Sequence, residues 1–143
     1  LPLAQRCSDI LGETITTLGF PLSGLSSQLQ VTQGCISGLT GSGDDIRYMQ
    51  FTAPIQPGSS GSPLLLPTGE VIGMVTSSFV HEHAQNSNYA VKFQLLSALL
   101  ASAGISLDDS ANKKTLSKLT AMLSTPQLSK QSRSALWLVG CEG

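Results

Sequence analysis

A chain of 143 residues, 41% hydrophobic and only 12% charged, is too apolar for a disordered segment and too lightly charged for a long exposed helical assembly. Its formal net charge of −1 offers nothing to a phosphate backbone or an anionic membrane surface. No apolar run approaches the roughly 18 residues that a membrane-spanning helix needs, so neither a nucleic-acid partner nor a membrane span is expected.

Residues 1–93 are rich in Gly, Ser, Thr and β-branched side chains, and turn residues punctuate them about every 8 to 15 positions, the rhythm of short strands in a sandwich or barrel. A first strand is predicted from Thr14 to Phe20, closed by Pro21 and Ser23-Gly24. Gln28 to Ser37 follows, with Leu29 and Val31 alternating against Gln30 and Thr32 as in a half-buried strand. The cluster Gly41-Ser42-Gly43-Asp44-Asp45 is a turn, and Ile46 to Thr52 is the next strand. Leu64 to Leu66 and Val71 to Thr76 read as a hairpin about Pro67-Thr68-Gly69, and Tyr89 to Phe93 as a sixth strand. Six short antiparallel strands suffice for one small closed barrel. The expected fold is therefore all-β, followed by C-terminal helices.

Residues 94–143 are predicted to be helical. A helix from Gln94 to Ala103 would present Leu95, Leu96, Leu99 and Ala103 on one face, with Gly104 as its left-handed stop. A second, from Lys113 to Leu123, carries Leu116, Leu119, Met122 and Leu123 at helical spacing. A third opens at Thr125-Pro126, read as a cap and a first-turn proline, and runs through Val139 to Gly140.

Chemistry concentrates in Gln56-Pro57-Gly58-Ser59-Ser60-Gly61-Ser62-Pro63, between two strands. A serine hydroxyl is a weak nucleophile until a base takes its proton and donors await the oxygen that becomes negative. Glycine at 58 would let its own N–H and that of Ser60 face one concavity, and losing one such donor typically costs about 2.7–4 kcal/mol of barrier. Taken alone, the octapeptide reads equally well as a Gly/Ser-rich turn without chemistry.

Its surroundings decide between the two. The run from Thr52 to Leu64 closely resembles the active-site segment of bacterial trypsin-like peptidases of the Deg/HtrA group, and other pieces follow in that group's order. Gly12-Glu13 with Leu18-Gly19-Phe20-Pro21-Leu22 resembles the opening of the second barrel, and Val31-Thr32-Gln33-Gly34 with Ile36-Ser37 the next hairpin. Gly69-Glu70-Val71-Ile72-Gly73-Met74 resembles the strand after the nucleophile, and Asn88-Tyr89-Ala90-Val91-Lys92 the wall of the specificity pocket. The resemblance covers about residues 10 to 105. It implies the second six-stranded barrel of a double-barrel serine endopeptidase over 1–93, with a helical extension over 94–143.

Carried over by position, the resemblance makes Ser60 the nucleophile, with the N–H groups of Gly58 and Ser60 as the oxyanion hole. It lines the primary pocket with Pro54 and Ile55, then Thr76, Ser77 and Ser78, then Tyr89, Ala90 and Val91. None of these is charged, so small or medium apolar residues are expected at the cleavage site of a peptide or protein substrate. Two positions depart from the group's habit: Ser59 stands where Asn or Asp is usual, and Ser62 where Gly is frequent.

The group's histidine and aspartate lie upstream, on and beside a first barrel. Here Asp9 has no triad context, and the two histidines, His81 and His83, follow Ser60 by about twenty residues in an expected surface loop. The chain is therefore expected to be inactive alone and to need an N-terminal barrel that carries His and Asp. A non-catalytic peptide-binding module and an interaction fragment with a working helical tail are the alternatives. The apolar stripe of the tail, with Leu136, Trp137, Leu138 and Val139, would pack on the barrel, on a companion polypeptide or on a second copy of the chain.

His81-Glu82-His83 supplies two imidazoles without a third ligand, and Cys7, Cys35 and Cys141 lack C-x-x-C spacing. No metal or cofactor is assigned, and the thiols are expected to be plain, since an odd count cannot pair fully within one chain. No secretory leader is visible. The family's habit points outside the cytoplasm of a bacterium, although no residue establishes a compartment.

Overall fold

A computed structural model describes residues 10–20, 28–76, 87–105 and 123–133. Six strands form a closed antiparallel barrel: β1 (Thr14–Gly19), β2 (Gln30–Gly38), β3 (Tyr48–Phe51), β4 (Pro63–Leu65), β5 (Val71–Val75) and β6 (Asn88–Lys92). Their order around the barrel is β1-β2-β3-β6-β5-β4, and β4 closes onto β1 through Thr16↔Leu65 and Thr17↔Leu64. Closure leaves no unpaired edge, which is how a small all-β unit avoids strand-to-strand aggregation.

Each strand sends apolar side chains inward. Ile15, Ile36, Met49, Phe51, Leu64, Ile72, Val75 and Ala90 form one core with Ile10 and Ala53. Each of the larger side chains contributes roughly 1.5–3 kcal/mol by leaving water.

Two faces differ from the sequence pattern. In β2 the more buried set is the even one, with Thr32 and Gly34 half-buried and Ile36 buried, while Val31 is 36% exposed. The reason lies at the barrel's end, where β2 lines a polar hollow and its polar residues are the ones that face in. Ile46, predicted to open the third strand, is 75% exposed in a turn that Asp45 and Arg47 pin.

The helix α1 (Phe93–Ser102) follows β6 directly and packs on β5 and β6. Its half-buried positions are Phe93, Leu96, Ser97 and Leu100, a helical i, i+3, i+4, i+7 stripe. The predicted face is rotated from this, and Leu95 and Leu99 are 43% and 65% exposed. A helix that is apolar nearly all round carries no periodic signal to orient it. Gly104 does take the left-handed conformation, at φ 74°.

The helix α2 (Thr125–Ser132) is capped one residue earlier than predicted, and the predicted continuation over 134–140 lies outside the described residues. Gln127 Oε1 accepts from Ser124 N at 2.8 Å and from Ser124 Oγ at 2.9 Å, so Ser124 is the cap and Thr125 the first helical residue. Thr125 Oγ1 instead accepts from Gln33 Nε2 at 3.2 Å, fastening the helix to β2. Leu123 N donates to Pro67 O at 2.7 Å, and Leu128 is buried beside the β4–β5 turn. This part of the tail packs on its own barrel. The predicted helix over 113–123 lies almost wholly outside the described residues, as do Leu136 to Val139.

Candidate active site

Between β3 and β4 the chain makes two successive tight turns, and local chemistry dictates both. Gln56-Pro57-Gly58-Ser59 closes with Ser59 N donating to Gln56 O at 2.9 Å. Proline fixes a negative φ at the second position, and Gly58 takes φ 96° at the third, the signature of a type II turn. Ser59-Ser60-Gly61-Ser62 repeats the pattern, with Ser62 N donating to Ser59 O at 3.1 Å and Gly61 at φ 87°. Ser60 thereby sits at the second position of the second turn, a corner, and its side chain is exposed.

Ser59 is the joint between the turns. It is 7% exposed, and its Oγ accepts from Gln56 N at 3.2 Å. A small hydroxyl here does a hinge's work: one residue holds the first turn with its amide and its side chain, and the second with its carbonyl. The downstream end is tied to the barrel by Gly61 N donating to Val75 O and Val75 N donating to Ser62 O, both at 2.8 Å.

The amides of Ser59, Gly61 and Ser62 are thus all engaged. Those of Gly58 and Ser60 have no acceptor among the described residues. Two uncommitted donors, the cornered serine's own amide and that of the glycine two residues before it, are what stabilisation of a developing oxyanion calls for.

Upstream, Asn88 Nδ2 donates to Ala53 O at 2.8 Å, a buried bond that holds the start of this segment against β6. Ile55 packs on the core, whereas Pro54 turns to the other side, where the loop meets β1 and β2. There a small hollow, open to solvent, separates them. Its barrel wall is made by two cross-strand pairs, Thr17↔Thr32 and Gly19↔Gln30, and its loop wall by Pro54, Gln56, Ser59 and Ser62. The loop lies so close to β1 that a Cβ on Gly19 would collide with Ser62 Oγ.

The predicted pocket residues occupy several settings. Thr76 is tied to Tyr89, whose carbonyl accepts from both Thr76 N and Thr76 Oγ1 at 3.0 Å. Tyr89 and Val91 are half-buried, and Ala90 lies fully buried in the barrel core. Ser77, Ser78, His81 and His83 lie outside the described residues. Sequence reasoning passed over Thr17, Gly19, Gln30 and Thr32, and it noted Ser59 and Ser62 only as departures from a habit. The unusual Ser62 was the available signal, since a larger residue in a tight loop requires a smaller one opposite.

Comparison with known proteins agrees with this fold. The model of the trypsin-like peptidase domain family matches residues 1–74. The chain is 38% identical to the uncharacterised protein y4bJ of Sinorhizobium fredii over 96% of its own length and 22% of the relative's. It is 33% identical to the serine protease Do-like HtrA of Bacillus subtilis, over 56% of this chain and 19% of that one. A serine endoprotease from Yersinia pestis superposes with a TM-score of 0.58 at 28% identity, covering 73% of this chain and 35% of the other. The chain therefore spans well under half the length of these relatives. Its barrel, its strand order and the sequence around its cornered serine place it in the trypsin-like peptidase family, among peptidases of the HtrA type.

Proposed function

We propose that this chain is the nucleophile-bearing part of a serine endopeptidase, in which Ser60 attacks the scissile carbonyl and the amides of Gly58 and Ser60 stabilise the resulting oxyanion. The observation that carries this reading is the pairing of an exposed corner serine with the two amides of its loop that have no acceptor among the described residues. In the reaction, Ser60 Oγ forms a bond to the carbonyl carbon as its proton passes to a base. The carbonyl then re-forms, the amine leaves with a proton, and water releases the acyl group by the same route.

The base is the part this chain does not supply. Its only histidines are His81 and His83, which follow the nucleophile by about twenty residues. A companion segment that carries His and Asp is proposed to complete the site, with the barrel over 1–93 holding the nucleophile and 94–143 serving as an extension. Pro54, Ile55, Thr76, Ser77, Ser78, Tyr89 and Val91 are proposed to shape an uncharged primary pocket, with Ala90 buried behind it.

The test has two arms. The purified chain should show no Ser60-dependent turnover of casein or of a peptide library. Joined to the His- and Asp-bearing barrel of an HtrA-type peptidase, it should gain hydrolysis that Ser60→Ala abolishes, a loss of roughly 10⁴-fold or more. Ser60-dependent hydrolysis by the chain alone would overturn the predicted inactivity. An assembled protein that cuts equally well with alanine at 60 would overturn the nucleophile assignment.

A further inference from the structure

Thr17 lies in the middle of β1 and is 4% exposed, yet its Oγ1 has no hydrogen-bond partner among the described residues. Buried hydroxyls in folded proteins are almost always paired, with protein or with ordered water. Thr17 shares its strand face with Ile15 and Gly19, so it points toward the barrel interior at the end where the core gives way to the hollow.

That hollow has a definite chemistry. Four hydroxyl residues line it, Thr17 and Thr32 from the barrel and Ser59 and Ser62 from the loop, with Gln30 and Gln56 at its sides. None carries a charge. A cation would find no carboxylate and an anion no guanidinium, whereas a neutral hydrogen-bonding molecule would find several partners. A water needs about two to four polar partners and little room, and hydroxyls both donate and accept.

We propose that the hollow holds a bound water that joins Thr17 Oγ1 to the 59–62 turn, and that Thr17 is thereby a positioning residue for the nucleophile loop. The loop already touches β1 where Ser62 meets Gly19, two residues along from Thr17 on the same face. The water extends that contact from steric fit to hydrogen bonding. Its meaning for catalysis rests on the assignment of Ser60 as nucleophile, but its existence does not.

The experiment is amide hydrogen exchange on the chain itself, comparing wild type with Thr17→Val, which keeps the shape and removes the hydroxyl, and Thr17→Ser, which keeps the hydroxyl. In Thr17→Val the amides of Ser59, Gly61 and Ser62 should exchange roughly tenfold faster, while Met49 and Ala90 on β3 and β6 keep their rates. Thr17→Ser should restore the loop's protection. A wild-type crystal structure should show a water within hydrogen-bond distance of Thr17 Oγ1. The proposal is overturned if Thr17→Val leaves the loop amides unchanged with an equal or higher Tm, as removing an unpartnered hydroxyl would. It is also overturned if all amides speed up alike, or if the crystal density holds no such water. A Thr17→Val chain that fails to fold leaves the serine variant and the crystal density to decide. None of these readings involves proteolysis, so failure here and failure of the nucleophile assignment are separate results.

Discussion

Gly19 and Ser62 face each other across the seam between β1 and the 56–62 loop, and the absence of a side chain at one is the condition for the hydroxyl at the other. A Cβ at 19 would strike Ser62 Oγ and press on Ser62 Cβ at 3.4 Å. Gly19→Ala is therefore expected to destabilise the chain by about 1–3 kcal/mol, the usual range for overpacking. Ser62→Gly removes both colliding atoms, so the double variant should recover most of the loss. Urea unfolding of the four proteins of this cycle measures the coupling. An additive result would mean that the two residues do not meet.

The second turn makes a cleaner prediction, because sterics and conformation separate there. A Cβ on Gly61 would meet nothing within 4 Å, so any penalty at that position is purely conformational. At φ 87° an alanine should cost about 1–2 kcal/mol. Asparagine, which tolerates left-handed backbone, should cost visibly less than alanine. Thermal unfolding of Gly61→Ala and Gly61→Asn checks the order. Equal losses would point to a crowded site instead of a strained one.

Much of this loop was legible because its determinants are local. Pro57-Gly58 and Ser60-Gly61 each specify a turn without help from elsewhere, and their spacing alone puts a serine on a corner. The six strands were legible for the same reason, since Pro67-Thr68-Gly69 and the alternation of β-branched residues are short-range signals. What escaped was set by distant partners. Nothing near Val31 says that Thr32 will face inward, because the cause is a loop more than twenty residues away. The run of Leu and Ala in α1 has no polar side to betray its orientation, and Ser124 and Thr125 are equally good caps until Gln33 claims the threonine.

Asp45 and Arg47 offer a test in solution. Hydrogen bonds from the Arg47 side chain, then from its backbone N–H, hold the Asp45 carboxyl down at about 2 from the ordinary 3.8. A group whose pKa is depressed on folding adds stability above its unfolded value and loses it as pH falls through the folded one. The contribution should therefore be complete above pH 3.8 and fade toward pH 2. The pair is exposed, so the effect on overall stability is small and is screened by salt. A carboxyl titration followed by NMR should place the Asp45 midpoint near 2. In Arg47→Gln it should rise only partway to 3.8, because the backbone N–H of residue 47 remains a donor. A full return would mean that the backbone bond is not made.

The bond from Asn88 to Ala53 reaches furthest into the site, because Ala53 begins the stretch that leads to the first turn. Both residues are nearly inaccessible to water, at 8% and 0% exposure, so breaking the bond strands a carbonyl that water cannot readily reach. Asn88→Ala should cost about 1–3 kcal/mol. Asn88→Asp separates the loss of a donor from the loss of volume. Ionised, the aspartate offers only acceptors to a carbonyl that is also an acceptor, and protonated it can donate again. Burial against that carbonyl raises its folded pKa above the unfolded value of about 4. Between those two values the folded state binds more protons than the unfolded one, so stability must rise as pH falls. The Asn88→Asp chain should therefore lie furthest below wild type at neutral pH and close part of the gap on acidification toward pH 4. Denaturant unfolding of both proteins at a series of pH values measures this. A gap that stays constant with pH would show that residue 88 does not face the Ala53 carbonyl, and that the entry to the 56–62 loop is held by something else.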